Sequence, residues 1–107
     1  MIDWDTVDSL RNDLGEGFGE LVDVFLAEVD EATGRLDPDA SPDQMAADMH
    51  FLKGAALNLG FTDFAELCAE GEARAEAGQP VDIAPVLASF AVSRREFTEG
   101  LVQRRVA

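Results

Sequence analysis

The sequence is poor in the side chains that carry most protein chemistry: it has one cysteine, one histidine and a single lysine in 107 residues. One cysteine cannot close an internal disulfide, which points to a reducing compartment, so a cytoplasmic protein is expected. Zinc sites commonly recruit several His or Cys ligands, and this chain offers one of each, so no resident metal is expected. No serine or cysteine nucleophile comes with two assignable partners, which sets aside a catalytic triad. Cations are scarce as well: 8 Lys and Arg stand against 22 Asp and Glu, a formal net charge of −14. That balance disfavours nucleic acid and anionic lipid, both of which reward clustered Lys and Arg, and it favours solubility and a partner with a basic rim. No stretch approaches 18 apolar residues, and the opening Met1-Ile2-Asp3-Trp4-Asp5 has no basic region before an apolar one, so neither a membrane span nor a secretory signal is expected. Sustained alternation of apolar and polar residues is missing too, which argues against strands.

What is present is helical periodicity. Trp4 to Asp13 reads as a short first helix, capped by Asp3 or Asp5, with Val7, Leu10 and Leu14 facing inward. Gly15, Gly17 and Gly19 follow without a preceding strand or a terminal Lys-Ser/Thr, so they read as a helix break and not as a phosphate loop. From Phe18 to Leu36, the residues Phe18, Leu21, Val22, Phe25, Val29, Ala32 and Leu36 form one apolar stripe, and Asp37-Pro38-Asp39 ends the helix. Ser41-Pro42-Asp43-Gln44 carries the signature of a capping box and opens a helix expected over Pro42–Leu59, with Gly60 as its left-handed stop. A fourth helix is expected over Asp63–Ala77, capped by Thr62 and stopped by Gly78, with Phe64, Leu67, Cys68, Gly71 and Ala75 inward. The last begins after Asp82 and runs to about Arg104 on Val86, Phe90, Phe97 and Leu101, with Arg94, Arg95, Arg104 and Arg105 toward its end, where cations suit the helix dipole. Long amphipathic helices on short turns predict an all-α protein: one domain over residues 1–107, an antiparallel up-down four-helix bundle with a short additional N-terminal capping helix. Phe25, Leu52, Phe64, Leu67 and Phe90 are expected in its core.

The third helix holds the chemistry. Met45, Met49, Leu52, Ala56 and Leu59 define its buried stripe, and at 100° per residue His50 points roughly 140° from the centre of that stripe. Lys53 lies one turn on along the same face. Small residues, Ala46, Ala47 and Gly54, surround the imidazole. Gly54 costs a helix interior about 1 kcal/mol relative to alanine, so its presence suggests close approach by something else.

His50-x-x-Lys53-Gly54, followed by small residues and closed by Gly60, resembles the motif of histidine-containing phosphotransfer (HPt) domains. The likeness continues through Leu67, Cys68 and Glu72, where that family has an apolar residue, often a Cys, and then Gln or Glu. Gly71 departs from the pattern, standing where the family commonly has a large apolar residue, and predicts weaker packing beside Glu72. The chemistry left open by the absences above is consistent with this: a neutral imidazole nitrogen attacks phosphorus and carries the phosphoryl group covalently. Such a carrier needs a cation near the phosphoryl oxygens, a task for Lys53, and an acceptor for Nδ1–H that leaves Nε2 as the nucleophile, a task for Glu72. These read as separate roles. The resemblance implies the same assignment, and it implies exchange of phosphate with the aspartate of a response-regulator receiver domain or a hybrid histidine kinase. The receiver would bring Mg²⁺, and the chain would hold no cofactor of its own. It has no nucleotide-binding motif, so autonomous kinase activity is not expected. A monomer is expected. Two alternatives remain: a helical adaptor that docks a partner without being phosphorylated, and a histidine-kinase dimerisation domain, which would be a dimeric bundle.

Overall fold

The computed structural model describes the backbone of residues 1–106 and the side chains up to Arg104; the Arg105 side chain lies outside the described residues. Five α-helices follow one another: α1 (Trp4–Leu14), α2 (Phe18–Gly34), α3 (Pro42–Leu59), α4 (Thr62–Glu76) and α5 (Ala84–Val106), with a 3₁₀ turn at Gly15–Gly17. Among the described residues the only β pairing is an isolated bridge between Ile2 and Phe61. Helices α2 to α5 form the bundle, and with α1 the described molecule is a rod 46 × 21 × 20 Å. Helix α1 closes the end where α3 turns into α4: the Asp3 N–H donates to Gly60 O at 2.8 Å, and the Met1 ammonium pairs with Asp63.

Helix α3 starts and stops on local chemistry. Ser41 Oγ accepts the Gln44 N–H at 3.2 Å, and Pro42 takes the first turn. The box is half formed, because the Gln44 side chain donates to Asp48 at 2.8 Å instead of reaching back to Ser41. At the far end Gly60 adopts φ +76°, and a Cβ there would lie 2.7 Å from Asp3 O. Glycine is required twice over, by the left-handed turn and by the passing chain. Met45, Met49, Leu52, Ala56 and Leu59 are all buried, joined by Ala55.

Several expectations shift. In α1, Leu14, the last residue of the helix, is exposed. The buried face of α2 is rotated toward Leu26 and Thr33, leaving Leu21, Phe25 and Leu36 half-buried, and the helix ends at Gly34, short of Leu36. Thr33 tolerates burial because its hydroxyl donates to Val29 O at 2.8 Å. Thr62 is the first residue of α4 and not its cap; its hydroxyl donates to Met1 O, since the N-terminal strand of chain occupies the space before α4. Leu67 is half-buried, whereas Leu52, Phe64 and Phe90 are core. Two arginines of α5, Arg94 and Arg104, reach to other helices. Arg94 makes a two-point contact with Asp30 of α2 at 3.0 and 3.1 Å, and Arg104 reaches Asp8 of α1 at 3.2 Å.

Candidate functional site

The Gly60 turn folds α4 back along α3, and these two helices share the most extensive packing in the molecule. Gly71 sets how close they come. A Cβ on it would stand 3.0 Å from Met49 Sδ and 3.1 Å from Met49 Cγ, so the missing side chain is filled by a fully buried methionine. The weak packing expected at Gly71 is not found. The close approach that replaces it carries the neighbouring residues, Glu72 and His50, to within contact.

His50 Nδ1 lies 2.9 Å from Glu72 Oε2, and the ring side chain is 71% exposed. An ionised carboxylate can only accept, so the bond places the hydrogen on Nδ1 and turns the Nε2 lone pair outward. Lys53 Nζ donates to the other oxygen, Glu72 Oε1, at 2.6 Å. The carboxylate is thus shared: one oxygen for the ring, one for the cation, with the Glu72 side chain 14% exposed. The Lys53 ammonium, and secondarily the His50 ring, hold the Glu72 carboxyl below the usual carboxylate range, although partial burial acts the other way. The two helper roles read from the sequence as separate are joined in one group.

Nothing lies within 4 Å of a Cβ built on Gly54, one turn beyond His50, so no contact inside the chain demands a glycine there. The same face continues to Leu57, 57% exposed, and back to the exposed Ala47. Cys68 is fully buried and its thiol is pushed up to about 12 by that burial, which makes it a packing residue without reactivity. Among the described residues, no group of three or more His, Cys, Asp or Glu side chains could hold a metal ion, and no helix is long and apolar enough to cross a membrane.

The helical bundle offers one outward imidazole, backed by a lysine one turn on along α3 and by a carboxylate of the neighbouring α4, on a rigid scaffold. The Hpt domain family model matches residues 20–103, and the chain belongs to that family. With it comes a role in histidine phosphotransfer in two-component signalling. No curated protein and no solved structure matches the chain. Helix α1 falls outside the matched residues, whereas His50, Lys53, Gly54 and Glu72 all fall inside them.

Proposed function

We propose that His50 takes a phosphoryl group on Nε2 from the aspartyl phosphate of a receiver domain, free or within a hybrid histidine kinase, and passes it to the aspartate of another receiver. The observation that carries this reading is the 2.9 Å contact of Nδ1 with Glu72 on an imidazole left 71% exposed. With hydrogen on Nδ1, the Nε2 lone pair forms the N–P bond as the P–O bond to the aspartate breaks, and the ring becomes a phosphorylated imidazolium. In the return step a carboxylate oxygen attacks phosphorus, the N–P pair goes back to Nε2, and a neutral imidazole leaves. No proton has to move in either direction, provided Nδ1 keeps its hydrogen, and Glu72 is placed to keep it there.

Lys53 is the cation within reach of the phosphoryl oxygens, and Gly54 leaves the approach to the ring open for a partner's backbone. The exposed Leu57 and Ala47 extend that approach as an apolar strip, the kind of surface a receiver face would cover. The receiver supplies Mg²⁺, and the protein works as a cytoplasmic monomer without a cofactor or kinase activity of its own. Incubation with a labelled, phosphorylated receiver should leave acid-labile, base-stable phosphate on the protein. His50→Gln should take up none. Label retained in that variant would overturn the assignment, and a receiver that binds without ever losing its phosphate would make the protein an adaptor.

A further inference from the structure

Charge is spread unevenly along the face that carries His50. Helices α3 and α4 hold one lysine and one arginine between them, and both are engaged inside the chain. The Lys53 ammonium donates to Glu72 Oε1 at 2.6 Å, and Arg74 Nε donates to Pro80 O at 2.7 Å, in the loop toward α5. Asp43 lies seven residues before His50, two turns back on nearly the same line, roughly 10 Å along α3. Glu76 stands one turn beyond Glu72 on the returning α4, so it is displaced from the ring in the same direction, toward Pro42. Both side chains are exposed, and among the described residues neither pairs with a cation. Seven residues past His50, on the opposite side of the ring, Leu57 is 57% exposed. The face is polarised: carboxylates at one end, an apolar side chain at the other.

Helix dipoles account for only one of these acids. Asp43 is in the first turn of α3, where a carboxylate is favourable. Glu76 is the last residue of α4, where a carboxylate is unfavourable, and no cation of the described chain offsets it. We propose that Asp43 and Glu76 form a charged rim that selects and orients the docking receiver. This rests on the reading of His50 as the phosphoacceptor. The partner that fits carries lysine or arginine on one side of its reactive aspartate and an apolar surface on the other. Its basic side lies over the start of α3, and its apolar side covers Leu57. The net charge of −14 draws a basic partner in from any direction. The rim acts within about one Debye length of the ring and sets the direction of docking.

The test uses whichever receiver domain, from a panel, binds the wild-type protein most tightly. Asp43→Asn combined with Glu76→Gln should weaken that binding by roughly threefold or more in dilute salt, through slower association, and flatten its salt dependence. The second-order rate of phosphoryl transfer should fall in step, while the limiting rate at saturating receiver holds. Glu16→Gln combined with Glu99→Gln makes the same charge change at exposed positions in the 3₁₀ turn and on α5, and should have little effect. In both double variants phosphoramidate, a small phosphoryl donor, should still label His50, and nitrogen NMR should show its tautomer unchanged. Equal weakening by the two double variants would overturn the proposal, because net charge alone would then explain the binding. Unaltered binding in the first would overturn it as well, and so would a fall confined to the limiting rate. Weakened binding in the first variant, with no label on His50 from either donor, would leave the rim standing and remove the phosphoacceptor reading.

Discussion

At His50 the chemistry is set by what the neighbours leave open. The ring is anchored on one nitrogen and bare on the other, and the residue one turn further on has no side chain at all. Gly54 has no internal justification: it lies inside α3, and a Cβ there would meet open space. Glycine in a helix interior is unfavourable relative to alanine by about 1 kcal/mol, so Gly54→Ala should stabilise the protein by about 0.5–1 kcal/mol. The same substitution should leave labelling by a small donor intact and slow transfer from a phosphorylated receiver severalfold. Urea unfolding and transfer kinetics on one preparation would read both. A variant that is more stable and transfers at the wild-type rate would show that the partner does not come close at this position. His50, Lys53 and Gly54 were legible from sequence because one helix and its 3.6-residue period fix their relative directions. The bridging of Lys53 to Glu72 was not, since it depends on the spacing between two helices, which no single periodicity encodes.

That spacing belongs to the elements α3 and α4. Helix α3 was readable to its end residues, because Ser41, Pro42 and Gly60 are local stop and start signals that act without tertiary help. Helix α4 was readable in its core stripe but not at its start, where Thr62 answers to Met1, a residue far away in sequence. Gly71 was misread for a related reason. A missing side chain looks like lost packing until the opposing residue is known, and here the fully buried Met49 fills the space. Gly71→Ala should therefore cost about 1–3 kcal/mol by overpacking, since its Cβ would stand 3.0 Å from Met49 Sδ and 3.4 Å from Val81 Cγ1. Pushing α4 outward should also lengthen the reach of Glu72 to His50. The expected signature is a loss of stability together with a fall in the Nδ1–H tautomer. Loss of stability alone would mean that Met49 and Val81 absorb the methyl group without moving the helix.

Across the whole molecule, five aromatic residues form one connected path. Phe64 meets Phe90 with ring centroids 5.2 Å apart, Phe90 meets Phe61 at 6.4 Å, Phe61 meets Phe97 at 5.3 Å, and Phe97 stacks on Trp4 at 5.9 Å. The path joins α4, α5, the α3–α4 turn and finally α1, which lies outside the residues matched by the family model. Trp4 is clamped at its end: Phe97 lies against one side, and the Arg104 guanidinium sits 4.3 Å from the ring centre. Beneath it is Gly100, where a Cβ would fall 2.1 Å from Trp4 Cζ2 and 2.4 Å from Cη2. An indole held between Phe97 and Arg104 has no room for a methyl group beneath it, so Gly100→Ala should expel it toward solvent, at a cost of about 1–3 kcal/mol. Trp4 is the only tryptophan, so its emission should move to longer wavelength without ambiguity of assignment. His50 lies ten residues up α3 from Gly60, roughly 15 Å along the helix, and its tautomer and its labelling by phosphoramidate should be unchanged. A red-shifted Trp4 beside an unaltered His50 would show that α1 is docked independently of the His50–Glu72 contact. A change in both would mean that the N-terminal helix holds α3 in register, through Asp3 and Gly60, as far along as His50.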